Sequence, residues 1–288
     1  MKDWEKLKIL IFLLLPGIAL VCFITLYPIF YTIKMSLYRM EYTKLVEYVG
    51  LKNFFIYLTD PYTFKSIKAS LLYVLGTVII SLPFGVIMAI ILNQEIRFKV
   101  LFRTIIIIPW VLAQLVAALL WKWVLDPVYG PINYLFSQAG LSKISIGDQR
   151  WAMPILIVVN VWRSYPFVMV LILAALQTVP KEFYEAAKID GASKLQSFGR
   201  ITIPLIMPTL IITLIQITLH SFNMVSLIFL LTGGGPLGLT ETLSLKVYMD
   251  AFQYWKLPFS SIGGIVVLIF NIIFSLIYIK LLRKEPYY

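Results

Sequence analysis

The sequence predicts an all-α, polytopic membrane protein with six transmembrane helices. Of its 288 residues, 60% are hydrophobic and 14% are charged, whereas soluble domains are roughly 45–50% apolar and 25% charged. Six stretches reach the length of about 17–25 apolar residues that a helix needs to cross a bilayer. Because lipid offers the backbone no hydrogen-bond partner, spans of this length and composition are helices.

The predicted spans share high hydropathy and are bounded by charged or turn-forming residues. They are approximately 9–33, 69–93, 101–124, 153–178, 203–231 and 259–281. The first follows Lys2, Lys6 and Lys8 as a signal peptide would, but it is too long for a signal-peptide core and lacks a small-x-small cleavage site before Tyr31. We therefore expect a retained first helix, with a cleaved signal peptide as the alternative.

Basic residues are denser on one side of the predicted membrane than on the other. On the dense side they are Lys2, Lys6, Lys8, Arg97, Lys99, Arg103, Lys181, Lys188, Lys194, Arg200, Lys280, Arg283 and Lys284. The positive-inside rule makes this side, and with it both termini, cytoplasmic. Longer loops then lie outside, at about 34–68, 125–152 and 232–258. Short interfacial segments at Gly50–Phe54 and Pro131–Gly140, or ordinary surface loops, would fit these regions.

Absent motifs restrict the energy source. All fourteen Asp and Glu residues lie in predicted loops or tails, whereas ion-coupled carriers usually place ionisable groups in their spans. The chain has no GxxxxGK[ST] phosphate loop, and the glycine-rich Gly233–Pro236 is interpreted as a helix stop and turn. A single histidine, His220, excludes HExxH zinc chemistry, and a single cysteine, Cys22, excludes a disulfide framework. An ion-coupled secondary transporter and a membrane enzyme remain the alternatives, and no catalytic or metal-binding residue is predicted.

The longest cytoplasmic loop, Thr178–Pro208, carries signs of two short helices. Pro180 suits a first helical turn, and Glu182 places an acid near the positive end of that helix. Gly191 supplies a break or a left-handed turn before a second short helical stretch that ends near Ile203. Such a loop projects from the membrane as a small rigid element, although a solvated amphipathic loop would produce the same pattern.

This loop also contains a motif. Its segment EAAKIDGASKLQSFGRITIPLIMP, Glu185–Pro208, resembles the EAA motif of binding-protein-dependent ABC importer permeases, with Ile203 in place of Leu before Pro204. Further matches run along nearly the whole chain: GLKNF at Gly50, IIPW at Ile107–Trp110, and LTGGGP at Leu231–Pro236 followed by TETLSLKVYMDAF. The chain is thereby identified as a member of the maltose-transporter-like carbohydrate group, resembling the first of its two permease types.

The resemblance implies an assembly and a division of labour. Residues 1–288 would form one permease domain, with 178–204 as its cytoplasmic coupling loop. A second permease, a cytoplasmic ATPase dimer and an external or periplasmic solute-binding protein would be its partners in a prokaryotic cell membrane. ATP and Mg would bind the ATPase, and no cofactor would bind this chain. Coupling to the ATPase is assigned to Glu185, Ala186, Ala187, Asp190 and Gly191.

Polar residues inside two spans recur at helical spacing. Asn160, Ser164 and Phe167 share one face, with Arg163 beside them, and Gln216, His220, Asn223 and Met224 do the same in the next span. The resemblance assigns the substrate pathway to Asn160, Arg163, Ser164, Phe167, His220, Ser221 and Met224. Amide, hydroxyl and aromatic groups suit a neutral or weakly charged sugar or polyol, whereas Arg163 would favour an acidic sugar or a phosphate ester. Hydrogen bonding between helices, worth about 0.6 kcal/mol on average, is the alternative at each position.

Overall fold

The computed structural model describes residues 3–284 and is built mainly of helices. Lys2, part of the predicted cytoplasmic N-terminus, lies outside this range. In chain order the helices are α1 (Asp3–Ser36), α2 (Lys52–Thr59), α3 (Pro61–Asn93), α4 (Lys99–Val111), α5 (Gln114–Val124), α6 (Pro131–Gln138), α7 (Ala152–Thr178), α8 (Lys181–Ile189), α9 (Lys194–Ser197), α10 (Ile203–Phe222), α11 (Ser226–Leu231), α12 (Leu243–Phe252) and α13 (Leu257–Lys284).

Five helices within residues 3–284 are long and apolar enough to cross a membrane. They are Phe12–Ser36 of α1, α3, α7, Leu257–Leu281 of α13 and the continuous run Lys194–Phe222, which contains α9 and α10. The pair α4 and α5 passes the same test together and raises the number to six if it is one span. The predicted helical membrane fold is thus confirmed.

The third predicted span, 101–124, is not straight. α4 and α5 meet at an angle of 97° across Leu112 and Ala113, whose backbone is extended. A break at membrane depth frees backbone carbonyls, which must find other donors. Arg163 in α7 supplies one, since its Nη2 donates to the carbonyl oxygen of Leu112 at 3.3 Å.

The fifth predicted span, 203–231, is also divided. α10 ends at Phe222, and α11 begins only at Ser226. The Asn223 side chain donates to the carbonyl of Leu219 at 2.8 Å, and the Ser244 hydroxyl donates to the carbonyl of Phe222. Side chains therefore satisfy the carbonyls at the end of α10, which allows the helix to stop inside the apolar stretch.

The loop between the first two predicted spans contains a β-hairpin that the all-α prediction did not include. Strands β1 (Tyr38–Glu41) and β2 (Lys44–Tyr48) pair antiparallel, with Tyr38 opposite Tyr48. The amide of Asn53 in α2 donates to the carbonyls of Ser36 and Tyr38 at 3.1 and 3.0 Å. The GLKNF segment thus begins α2 and ties this helix to the hairpin.

The chain forms two compact units. Among the described residues, one contains the chain up to Asp60 together with Val247–Val266, and the other contains Pro61–Lys246 and the chain from Val267. In the second unit the most extensive helix contact is between α3 and α7. This contact is close, because a Cβ added to Gly85 would lie 2.5 Å from Cβ of Val168.

Burial differs sharply between helices. In the most apolar stretch of α7, 61% of the residues are buried, whereas none is buried in that of α1. An apolar helix with no buried face presents its side chains to lipid or to another subunit. α7 is instead the centre of its own unit, and its polar residues are correspondingly enclosed.

Candidate functional site

A cavity of about 230 Å³ opens beside α4, α7 and α10. It is lined by Trp110, Arg163, Ser164, Phe167, Gln216, Ile217 and His220. Four of the seven predicted pathway residues therefore come together in one place: Arg163, Ser164, Phe167 and His220. Their role in transport stays a prediction, but the geometry gives them a common space in which a small polar solute can be held.

Two aromatic rings form one wall of this cavity. The ring centroids of Trp110 and Phe167 are 5.5 Å apart, with their planes inclined by 38°. Trp110 is 44% exposed, so its ring is accessible. Aromatic faces of this kind suit the apolar face of a sugar ring, and the neighbouring amide, hydroxyl and imidazole groups offer hydrogen bonds.

The most unusual cavity residue is Arg163, because its charge is enclosed. Its side chain is only 7% exposed although it lies within the span formed by α7. Its Nη2 donates to the carbonyl oxygen of Leu112 at 3.3 Å. Neither Nε nor Nη1 has a hydrogen-bond partner among the described residues. Intramembrane cations are costly and usually mark a pathway or a paired site.

The other three predicted pathway residues do not line the cavity. Asn160 is fully buried and donates from Nδ2 to Thr77 Oγ1 and to Ser221 Oγ, both at 3.2 Å. Ser221 and Met224 are each only 2% exposed. Asn160 and Ser221 hold α3, α7 and α10 together, which is the interhelical alternative considered from the sequence.

Three lining residues were not among the predicted pathway positions. Gln216 lies one turn before His220 in α10, and helical spacing had already placed it on the same face. Trp110 comes from another helix, where the IIPW motif was its only sequence marker. Ile217 is apolar and carries no pattern that separates it from its neighbours in the span.

The predicted coupling loop, residues 178–204, has the predicted start and turn. α8 begins at Lys181 directly after Pro180, and Gly191 adopts a left-handed backbone with φ of +78°. Ser193 then caps α9, since its Oγ accepts from the Gln196 amide while the Gln196 side chain accepts from the Ser193 amide. The side of this turn that leads into α9 is therefore fixed by local hydrogen bonds.

The second helical stretch differs from the prediction. It does not end near Ile203 and Pro204 but continues through a π-helical turn, Phe198–Thr202, into α10. The π-helical turn directly precedes Pro204, a residue that has no backbone amide to donate to the helix. The loop is consequently joined without interruption to a helix that lines the cavity.

α8 is also tied to this continuous helix from the side. The hydroxyls of Tyr184 and Thr202 lie 2.9 Å apart, and Thr202 is buried. This contact ties α8 to the π-helical turn that leads into α10.

The predicted coupling residues lie on an exposed surface. Glu185, Ala186, Asp190 and Gly191 are exposed, and Ala187 is half-buried. Apolar side chains stand out around them: Phe183 is 50%, Ile189 85% and Leu195 79% exposed. Such a surface is typical of a protein–protein contact, and the small alanine side chains leave room for close approach.

Comparison with known proteins identifies relatives over nearly the whole chain. Residues 81–284 match the family described as binding-protein-dependent transport system inner membrane component. The trehalose/maltose transport system permease protein MalF of Thermococcus litoralis is 32% identical, over 97% of this chain and 95% of that protein. The sn-glycerol-3-phosphate transport system permease protein UgpA of Agrobacterium fabrum is 30% identical, over 98% and 97%.

A solved structure has the same fold. A chain of a bacterial alginate ABC transporter, crystallised in complex with an alginate pentasaccharide-bound periplasmic protein, superposes with a TM-score of 0.84. The two chains are 24% identical, and the match covers 98% of this chain and 96% of the other. The similarity of fold therefore extends over almost the whole chain.

Proposed function

Because the chain belongs to the family of binding-protein-dependent transport system inner membrane components, we propose that it is one of two permeases of an ATP-driven sugar or polyol importer. Its relatives are permease subunits of such transport systems and not enzymes. The family resemblance drawn from the EAA motif is thereby confirmed. The chain is a multi-pass membrane protein, and its own part in the process is to provide the path for the solute.

The lining of the cavity beside α7 and α10 is the main support for a sugar or polyol as the solute. It combines an aromatic wall, Trp110 and Phe167, with polar groups from Ser164, Gln216 and His220. A sugar or polyol presents hydroxyl groups and an apolar ring face to match these groups. Relatives named for trehalose/maltose and for glycerol 3-phosphate support this range of solutes.

Energy is supplied from outside the chain. No Asp or Glu lies in any of the candidate spans within residues 3–284, so an ion-coupled carrier has no carboxylate to use. We assign ATP and Mg to a cytoplasmic ATPase dimer that binds the exposed surface around Glu185 and Gly191. A second permease would complete the path, and an external solute-binding protein would deliver the solute.

Alternating access follows from the way the coupling loop is connected. When the ATPase dimer closes, α8 moves with it, and the Tyr184–Thr202 contact transmits the displacement to α10. Since α10 lines the cavity with Gln216, Ile217 and His220, rocking of this helix changes the side from which the cavity is accessible. The mechanism is a rigid-body switch between two states favoured by different ligands. In this proposal both termini and the coupling loop lie in the cytoplasm of a prokaryotic cell, as the positive-inside rule predicts.

The first test is purification of the tagged chain from its native membranes in mild detergent. Mass spectrometry should identify a second permease of similar size and a P-loop ATPase, and the preparation should hydrolyse ATP. Uptake of solute should require this ATPase and should persist when ionophores remove the ion gradients. A chain that repeatedly purifies alone and intact, with uptake abolished by ionophores, would contradict the proposal and favour a secondary carrier.

A further inference from the structure

The charge balance of the cavity distinguishes between classes of solute. Arg163 lies within a span and is 93% shielded by its own chain, being 7% exposed. Within residues 3–284 no carboxylate pairs with it, and none lies in any candidate span. A buried cation without a counter-ion is strongly unfavourable. The cavity therefore carries a positive charge that its own protein does not neutralise.

Among the described residues, the group that hydrogen-bonds to this charge compensates it only in part. Arg163 donates to the carbonyl of Leu112, the residue that follows the last turn of α4. The C-terminus of a helix carries the equivalent of roughly half a negative charge. This contact orients the guanidinium and holds the bend between α4 and α5, but it leaves Nε and Nη1 without partners among the described residues.

The remaining lining groups favour an anion or are neutral. Ser164, Gln216 and His220 can all donate hydrogen bonds, and no acidic residue lines the cavity. Trp110 and Phe167 add an apolar wall next to the guanidinium. A solute that matches all of these groups has a ring or carbon chain on one side and an acid group on the other.

Building on the proposed function, we propose that the imported solute is anionic. It would be a sugar or polyol that bears a carboxylate, phosphate or sulfonate group. The acid group would accept hydrogen bonds from the Arg163 guanidinium, and the ring would lie against Trp110 and Phe167. Hydrogen bonds between a guanidinium and an oxyanion are among the strongest in proteins, and they strengthen further where water is excluded. Arg163 is thus the residue that determines charge specificity, while Ser164, Gln216 and His220 bind hydroxyl groups.

The test uses the complete transporter, purified with its partner subunits and placed in lipid nanodiscs without the binding protein. Solutes are offered in matched pairs at constant ionic strength: glucose with glucuronate or glucose 6-phosphate, and glycerol with glycerol 3-phosphate. Binding is followed by the shift in thermal unfolding temperature. We expect at least one anionic member to bind about tenfold or more tightly than its neutral partner, the effect of one charge-assisted hydrogen bond.

The variant Arg163→Gln should remove this preference while the complex remains assembled. Arg103→Gln is the matched control, because Arg103, a half-buried arginine in the same unit, also donates to a carbonyl, that of Leu92. It lowers the net charge equally but does not line the cavity. Equal binding of neutral and anionic partners, no response to any anionic solute, or an unchanged preference in Arg163→Gln would each overturn the inference.

A second readout does not depend on the choice of solute. Quenching of Trp110 fluorescence, obtained as the difference between the parent and Trp110→Phe, is measured with iodide and with neutral acrylamide. Arg163→Gln should reduce quenching by iodide several-fold and leave quenching by acrylamide unchanged, because only the anion is attracted to the guanidinium. Equal iodide quenching in both proteins would contradict a positive cavity. Co-purification of the ATPase and its hydrolysis of ATP test the importer function separately, so the two proposals can fail independently.

Discussion

Asn160 Nδ2 lies 3.2 Å from Ser221 Oγ and thereby joins α7 to α10, 61 residues further along the chain. The same nitrogen lies 3.2 Å from Thr77 Oγ1 in α3. Both Asn160 and Ser221 are buried and lie outside the cavity lining. The polar residues of these spans therefore fall into two groups, one that holds three helices together and one that surrounds the cavity.

Replacement of Asn160 by alanine is expected to reduce stability more than solute selectivity. The change removes the hydrogen bonds to Thr77 and Ser221, and interhelical hydrogen bonds in membranes contribute about 0.6 kcal/mol on average and up to about 1.7 kcal/mol. We expect a loss of roughly 1–2 kcal/mol, measured by thermal or denaturant unfolding in detergent.

Asn223→Ala is the matched control for this variant. Its side chain is exposed and donates to the carbonyl of Leu219 within the same helix, so its removal breaks no contact between helices. An Asn160→Ala protein with parental stability and altered solute preference would instead place Asn160 in the pathway.

The sequence could predict the spans but not their breaks. Hydropathy identified the apolar stretches because it depends only on local composition. The breaks at Leu112 and Phe222 are stabilised by Arg163 and Ser244, which lie 51 and 22 residues away along the chain. Neither break has a glycine or proline at its centre, so the strongest turn signals are missing there.

The candidate site was partly predictable for a related reason. Helical spacing correctly grouped Ser164 with Phe167, and Gln216 with His220, because residues three or four apart share a face. Spacing within one helix cannot establish which face meets a cavity and which meets a neighbour. Asn160 shares the face of Ser164, one turn away, yet it is enclosed by α3 and α10. The cavity also needs Trp110 from α4, and this position depends on the bend that composition did not predict.

Replacement of Gly85 by alanine is expected to separate α3 from α7. An added Cβ would lie 2.5 Å from the side chain of Val168 and 3.0 Å from the carbonyl oxygen of Tyr165, so one helix must shift. Overpacking of this kind costs about 1–3 kcal/mol, which unfolding in detergent would measure.

Gly17→Ala provides the comparison. A Cβ at Gly17 in α1 meets no described atom within 4 Å, and alanine is the better helix former. We expect Gly17→Ala to be neutral or slightly stabilising. Equal tolerance of both substitutions would show that the α3–α7 contact adjusts without cost.

The contact between Tyr184 and Thr202 is expected to support coupling. Tyr184→Phe removes one hydroxyl of a 2.9 Å pair, and a net loss of about 0.5–1.5 kcal/mol is typical for such a hydrogen bond. We expect less solute imported per ATP hydrolysed, with normal insertion and assembly. The measurement is the ratio of uptake to hydrolysis in proteoliposomes that contain the whole transporter.

A double-mutant cycle separates this contact from unrelated effects. If the two hydroxyls act together, Tyr184→Phe combined with Thr202→Val should have about the effect of either single change. Tyr42→Phe serves as the control, because Tyr42 is 78% exposed in the hairpin turn. If the effects of the two substitutions were additive, the prediction that the Tyr184–Thr202 pair transmits movement would be wrong.

Coupling should depend on the left-handed backbone conformation of Gly191 and not on the lack of a side chain there. No described atom lies within 4 Å of a Cβ added there, but φ is +78°. An L-residue pays about 1–2 kcal/mol in this conformation, so Gly191→Ala should re-orient α8 relative to α9. We expect intact membrane insertion with ATP hydrolysis that is uncoupled from uptake. Asn tolerates the left-handed region better than most residues, so Gly191→Asn should retain more coupling than Gly191→Ala.

Gly199→Ala is the control that separates the effect of backbone strain at Gly191 from the effect of replacing any glycine in this region. It lies in the π-helical turn, has no described atom within 4 Å of an added Cβ, and does not adopt a positive φ. Gly199→Ala should therefore leave the ratio of uptake to hydrolysis unchanged. If Gly191→Ala also retained the parental ratio, the conformation of this turn would not determine coupling, and contact by Glu185 and the exposed apolar residues around it would have to suffice.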